Sequence, residues 1–474
     1  MRNSDHYIDG SWTASTGSDW IDVLNPYTEE RIAEVPAGTA ADVDKAVAAA
    51  RRALPAWSGT TPAERSARLM AIADLLEAHW DRLGDLLVSE LGAPVGLAAL
   101  VQVGLPIGTL HTYARMADTF AWDTEAGSSL ITREPVGVVG AITPWNYPLH
   151  QIVAKVAPAL LAGCTVVLKP SEVTPLVAHA FAQLVDESGL PGGVFNLVSG
   201  TGPVVGEAIA AHPDVDMVSF TGSGPAGKRV AVLAAESVKR VTLELGGKSA
   251  CILLDDLSTE GFADAVRASI DQCFSNSGQR CSAFSRLLVP RSRYDEALAV
   301  AAEAANSYVL GDPVLPGTTL GPLVSARQQQ RVAGFLDRAV SDGARLVAGG
   351  SKLPEHLTTG FFVAPTVVAD AAPTSEIAQE EVFGPVVVVL PYGDRDEAVA
   401  LANGTRYGLA AGVYGADDDE VLAVARGLRA GQVEINGGQW NWLAPFGGYG
   451  QSGNGRELGV AGLEEYLETK AMQR

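Results

Sequence analysis

Two short segments carry groups that could do covalent chemistry: Leu243-Glu244-Leu245-Gly246-Gly247-Lys248-Ser249 and Asn276-Ser277-Gly278-Gln279-Arg280-Cys281-Ser282. The first presents a carboxylate beside a glycine pair. The second presents a thiol in a small, polar loop. A thiol nucleophile with a carboxylate base could make and break a thioester. The other cysteines, Cys164, Cys251 and Cys273, sit in apolar or structural settings where an inert buried thiol is expected. None of the four forms a C-x-x-C pair, a usage that suits a reducing cytosol.

A third segment, Gly222-Ser223-Gly224-Pro225-Ala226-Gly227, spells G-x-G-x-x-G after a strand-like run and at a helix start. Orphan N–H groups and the positive end of a helix can meet a pyrophosphate there. With 51 glycines in the chain, the motif alone is weak. The acid expected about 20 residues later for the ribose would be Glu244. That conflicts with a role as base. Leu168-Lys169-Pro170-Ser171-Glu172, at the end of another strand, offers a better ribose partner in Lys169 and Glu172. A carboxylate there would repel a 2′-phosphate, which favours NAD and leaves NADP open.

These groups need a frame. From residue 136 onward, continuous apolar runs at 136–142, 164–168, 194–198 and 217–220 alternate with helical patterns near 151–161, 176–188 and 204–211. Residues 240–244 form a fifth strand. Such strands are buried on both faces, and the alternation predicts a parallel doubly wound, Rossmann-like α/β sheet. A second α/β half follows, with strands at 251–254, 286–290, 362–368, 386–390, 411–414 and 432–435 and a hinge near Gly246-Gly247. Upstream, 41–91 reads as helix, Tyr7-Ile8-Asp9-Gly10-Ser11-Trp12 as a hairpin start, and Asn25-Pro26-Tyr27-Thr28 as a turn.

A chain of 474 residues exceeds one hydrophobic core, so two or three domains are expected. Net charge of −21 without a basic stretch argues against nucleic acid and anionic membrane surfaces. The uncharged run 92–114, interrupted by Pro94 and Pro106, predicts a pair of packed helices rather than a membrane span. The opening Met1-Arg2-Asn3-Ser4-Asp5-His6 leads into no apolar run, so no signal peptide is expected.

Seven collinear segments together resemble the aldehyde dehydrogenase superfamily over essentially the whole chain. They are Thr143-Pro144-Trp145-Asn146-Tyr147-Pro148, Lys169-Pro170-Ser171-Glu172, Phe220-Thr221-Gly222-Ser223, Leu243-Glu244-Leu245-Gly246-Gly247-Lys248, Gly278-Gln279-Arg280-Cys281, Glu381-Val382-Phe383-Gly384-Pro385 and Pro445-Phe446-Gly447-Gly448-Tyr449. The resemblance implies oxidation of an aldehyde to an acid with NAD(P). Cys281 would attack, Asn146 and the Cys281 amide would hold the oxyanion, and Glu244 would activate water; that role settles the ribose conflict. Thr143, Pro144, Trp145, Lys169, Ser171, Glu172, Gly222, Ser223, Gly227, Leu245, Gly246, Glu381 and Phe383 would bind the cofactor, and no metal is implied. Lys155 and Glu457 match positions that support a proton relay. The family pattern also implies an NAD-binding domain (1–118 and 134–245), a catalytic domain (246–446) and an oligomerisation sheet (119–133 and 447–474). A cytoplasmic homodimer or homotetramer is expected.

Arg280 could depress the thiol pKa, select a polar aldehyde, or point into solvent, the last being preferred. Trp440, Asn441 and Trp442 suggest an aromatic wall suited to an apolar or aryl aldehyde. A CoA-acylating enzyme is the runner-up, and Glu244 argues against it because a thiol acceptor needs no water-activating base. A cofactor-free cysteine hydrolase would need a histidine partner. None of His6, His79, His111, His150, His179, His212 and His356 has a catalytic-looking context.

Overall fold

The computed structural model describes residues 5–351, 353 and 357–474; residues 1–4 and His356 lie outside them. Continuous apolar runs form the middle of an eight-stranded sheet. Its parallel strands lie in the order Arg240–Glu244, Met217–Thr221, Val138–Ile142, Thr165–Lys169 and Phe195–Leu197. Val138–Ile142 and Thr165–Lys169 are buried at every position, as helices on both faces require. The chain winds outward on one side of Val138–Ile142, then crosses to the other side at Met217–Thr221. Ligands of open α/β sheets bind outside the carboxyl ends at that reversal. The register aligns those ends: Ile142 pairs with Lys169 and Phe220, and Thr221 with Glu244.

The second half is a seven-stranded sheet. Ala364–Ala369, Val386–Tyr392, Arg286–Pro290, Ala250–Leu253, Ala410–Tyr414 and Gln432–Ile435 run parallel, with Arg345–Gly350 antiparallel at one edge. The link 245–249, which holds Gly246-Gly247, runs directly from the carboxyl end of Arg240–Glu244 to the amino end of Ala250–Leu253. Two loops meet this link: the loop before Arg286–Pro290, through the Cys281 carbonyl at Gly247, and the loop before Val386–Tyr392, through Glu381 at Gly246.

Several elements differ from expectation. The run 92–114 is one continuous helical path, not a pair: Val95–Leu97, a π-turn over Ala98–Val103, then Gly104–Met116. The wide turn just before Pro106 absorbs the missing N–H donor. This helix is long and apolar enough to cross a membrane, yet Ile107, Leu110, Tyr113 and Ala114 are buried in the core around the first sheet. The hairpin of Trp20–Leu24 and Arg31–Pro36 was not anticipated; the expected turn at Asn25 joins it, with Asn25 Oδ1 accepting from the Tyr27 and Thr28 amides. A three-stranded antiparallel sheet joins Asp123–Ala126, Ser129–Pro135 and Leu467–Gln473. Within 447–474, Gly453–Asn454 instead extends the first sheet beside Glu244.

Candidate active site

Cys281 ends a tight loop that follows helix Thr259–Phe274. Asn276, Ser277 and Gly278 all have φ between 53° and 70°, three successive left-handed residues. Gly278 is required, because a Cβ there would collide with the Gly384 carbonyl. Side chains hold the other two: Asn276 Nδ2 donates to the Asn146 carbonyl (2.8 Å) and Ser277 Oγ to the Gly321 carbonyl (2.8 Å). Gln279 Oε1 accepts from the Val324 amide at 2.9 Å. The loop is therefore rigid before it reaches the thiol.

Asn146 precedes helix Pro148–Ala162 and is buried. Its Nδ2 donates one hydrogen to the Gln279 carbonyl at 2.9 Å, two residues before Cys281. Its own carbonyl also accepts from Gln102 Nε2 at 3.0 Å. An amide nitrogen has two hydrogens, so one anchors the side chain and the other is free for an oxyanion. The Cys281 amide finds no backbone acceptor among the described residues. Gln102, Asn276 and Gln279 had no assigned role in the sequence; the three consecutive turn-forming residues at 276–278 were the signal for Asn276.

Glu244 closes its strand with both carboxylate oxygens buried and without a hydrogen-bond partner among the described residues. Burial and the nearby Glu457 carboxylate push its pKa well up, against Lys155 and Arg456. The Cys281 thiol is likewise pushed up to about 12, by burial and by the charges of Glu244 and Glu381, with Arg280 opposing. Gly247 abuts the Cys281 carbonyl: a Cβ there would lie 2.8 Å from that oxygen. The two segments singled out in the sequence are thus in contact. Cys164, Cys251 and Cys273 are buried, each pushed up to about 12 by burial.

Arg280 does not face solvent. Its Nε donates to Ser282 Oγ (2.8 Å), its Nη1 to Gln272 Oε1, and its Nη2 lies 3.9 Å from Glu434 Oε1. A half-buried cation finds its partners inside the protein. Behind Glu244, the fully buried Lys155 donates from Nζ to Thr221 Oγ1 (2.6 Å) and to Glu457 Oε1.

Most of the proposed cofactor residues lie at the first sheet's carboxyl edge, and Glu381 and Phe383 come from the loop before Val386–Tyr392. Lys169 Nζ and Glu172 Oε2 are 2.7 Å apart. Burial disfavours ionised Glu172, but Lys169 outweighs it and holds the carboxyl below its ordinary value. Ser171 Oγ accepts from the Val173 amide (3.2 Å), which ties it into its own turn. Thr143 Oγ1 is buried with no partner among the described residues, beside the half-buried Pro144 and Trp145. The Trp145 and Phe383 rings meet edge to face, with centroids 5.3 Å apart. Gly222 donates its N–H to the Glu244 carbonyl (3.0 Å), and the exposed Ser223 caps helix Gly224–Ala235 without side-chain help, leaving donors free. Gly227 packs on Leu245, since a Cβ there would lie 2.6 Å from the leucine methyl. Glu381 Oε1 accepts from the Gly247 amide (3.0 Å), and its carboxylate fills the space a Gly246 side chain would need. Burial raises Glu381 to about 7. An uncapped helix end, an orphaned hydroxyl, a paired ribose-type carboxylate and an aromatic corner fit a dinucleotide.

Residues 12–472 match the model of the aldehyde dehydrogenase family. A 3-succinoylsemialdehyde-pyridine dehydrogenase from a Pseudomonas species is 46% identical over 467 residues, 98% of this chain and 97% of that protein. The crystal structure of an aldehyde dehydrogenase C mutant from Pseudomonas syringae, in complex with NAD+ and octanal, superposes with a TM-score of 0.98 at 49% identity, covering 99% of this chain and 96% of that one. A betaine aldehyde dehydrogenase from Staphylococcus aureus in complex with NAD+ gives 0.96 at 38% identity, covering 99% and 95%. The chain belongs to the aldehyde dehydrogenase family.

Proposed function

We propose that the protein oxidises an aldehyde to its carboxylic acid with NAD, and that Cys281, Asn146 and Glu244 carry the chemistry. The observation that supports this most is that the Asn146 amide is anchored to the Gln279 carbonyl two residues before Cys281, while the buried Glu244 carboxylate, unpartnered among the described residues, lies near enough for its charge to act on the thiol. Cys281 Sγ attacks the aldehyde carbon to give a thiohemiacetal. The free Asn146 N–H and the Cys281 amide hold the oxyanion. When bound, NAD supplies the hydride acceptor and a cationic ring that favours the thiolate. Glu244 takes a proton from water as it attacks the resulting thioester, which releases the acid and restores the thiol.

Lys169 and Glu172 hold the adenosine ribose, and the Glu172 charge disfavours NADP. Gly222, Ser223 and the helix end behind them take the pyrophosphate. Thr143, Pro144, Trp145, Ser171, Gly227, Leu245 and Gly246 shape the crevice, and Glu381 and Phe383 face the nicotinamide half. Thr221, Lys155 and Glu457 form a buried path for protons leaving Glu244. Segments 1–118 and 134–245 make the cofactor domain and 246–446 the catalytic domain. The exposed strands Asp123–Ala126 and Leu467–Gln473 support assembly into a homodimer or homotetramer. Four free cysteines fit a cytoplasmic setting.

Purified protein with NAD and a panel of aldehydes is expected to form NADH without CoA. No NADH from any aldehyde overturns the reading. NADH only with CoA selects the acylating alternative.

A further inference from the structure

Tyr147, His150, Gln151 and Ala154 fall on one face of helix Pro148–Ala162, at helical spacings of three and four. That face turns toward the nucleophile: Ala154 packs with Leu409, Phe446 and Leu458 in a small cluster that also takes Cys281 and Trp440. The His150 and Trp440 rings meet nearly perpendicular, with centroids 6.3 Å apart. The Trp442 indole is seated against Gly108, where a Cβ would lie 2.7 Å from Nε1.

Three polar atoms on this wall have no partner among the described residues: His150 Nδ1, Gln151 Oε1 and Trp440 Nε1. His150 and Gln151 are 7% and 6% exposed, so water does not satisfy those atoms from outside. A buried polar atom without a partner is costly, and three of them together mark a place where a bound molecule completes the hydrogen bonds. The wall carries no net charge. Burial, with Lys155 and against Glu457, pushes His150 down to about 4 and keeps it neutral. Lys155 is occupied by Thr221 and Glu457, and Arg280 by Gln272, Ser282 and Glu434. The indole N–H donates only, the amide oxygen accepts only, and neutral imidazole does one of each.

We propose that His150, Gln151 and Trp440 form an uncharged hydrogen-bonding wall beside Cys281 that selects aldehydes carrying a neutral carbonyl or hydroxyl group along their chain over plain alkanals of the same length. This rests on the aldehyde-oxidising reading above and replaces the expectation of a purely apolar or aryl substrate. An alkanal leaves the three atoms unpaired in a dry site. Sites built to bond a polar group discriminate strongly against analogues that lack it. A carboxylate-bearing aldehyde finds both Lys155 and Arg280 already paired and gains nothing from their charge.

The test compares kcat/KM at saturating NAD for oxo-aldehydes with the ketone at carbon three, four or five, for their parent alkanals, and for 4-oxobutanoate. The best oxo-aldehyde is expected to exceed its parent about 10-fold to 100-fold. In H150L/Q151M, the ratio is expected to collapse toward one, with oxo-aldehyde oxidation falling and alkanal oxidation rising. Trp440→Phe, which removes only the indole N–H donor and keeps an aromatic ring, gives a second reading that does not depend on the helix variant folding. Alkanals oxidised as well as oxo-aldehydes by the wild type, a preference for 4-oxobutanoate, or a ratio unmoved in both variants overturns the selectivity while oxidation itself stands. Absence of NADH from every aldehyde overturns the oxidation reading instead.

Discussion

Glu172 stands just beyond, and Glu244 at, the carboxyl end of a strand in one sheet, yet their surroundings are opposite. Glu172 is gripped by Lys169 at 2.7 Å, and its carboxyl stays below the ordinary value. The Glu244 carboxylate has no hydrogen-bond partner among the described residues, feels the charge of a second carboxylate in Glu457, and is pushed well up. A carboxylate that must stay ionised to accept hydrogen bonds is best held by a cation. A carboxylate that must take a proton is best kept dry and unpaired, so that its basicity is high. One strand edge thus supplies both a fixed acceptor and a base, and the neighbours decide which is which.

The largest effect should come from the group on which the base acts. Cys281→Ser is expected to lower NADH formation by about 10⁴-fold or more, measured as kcat, because no thioester is available for Glu244 to hydrolyse. A Ser variant within about 10-fold of wild type would break the contrast at its root. Asn146→Ala removes the anchored oxyanion donor and is expected to cost about 10²-fold to 10³-fold in kcat with little change in KM for NAD. On the acceptor side, Glu172→Ala is expected to raise KM for NAD about 10-fold to 100-fold while leaving kcat at saturating NAD nearly unaltered. A fall in kcat without a change in KM would mean that Glu172 is not the acceptor.

The same contrast has a pH signature. Glu244 and Cys281 are both raised, so their active, deprotonated forms grow as pH rises. Glu172 is lowered and is already ionised at neutral pH. Turnover should climb from about pH 6 to about pH 9, whereas KM for NAD should fall only as Glu381 ionises near pH 7 and stay flat above about pH 8. A KM that kept falling in parallel with turnover up to about pH 9 would place a second titrating group in the cofactor crevice.

Much of this was legible in the sequence. The parallel strands announced themselves because burial on both faces leaves an unbroken apolar run, as in Val138–Ile142 and Arg286–Pro290. Arg345–Gly350, glycine-ended and bulged at an edge, carried no such run. The helical path through Pro106 was read as broken because proline is a local signal and the π-turn that accommodates it is not. In the site, Cys281 and Glu244 stood out by residue type. The partners of Arg280 did not: Gln272 lies on a helix and Glu434 on an edge strand far along the chain, so only the fold brings them to the guanidinium. Nor can a sequence show that a carboxylate lacks a partner, which is the property that separates Glu244 from Glu172.

The most direct test of the division between the nucleophile and the base is rapid mixing of Glu244→Gln with NAD and aldehyde, followed by NADH absorbance and intact-protein mass. The predicted result is a burst of about one NADH per active site, an acyl adduct on Cys281, and steady turnover reduced about 10²-fold to 10⁴-fold. Steady turnover at the wild-type rate, with no adduct, would contradict Glu244 as the group that activates water.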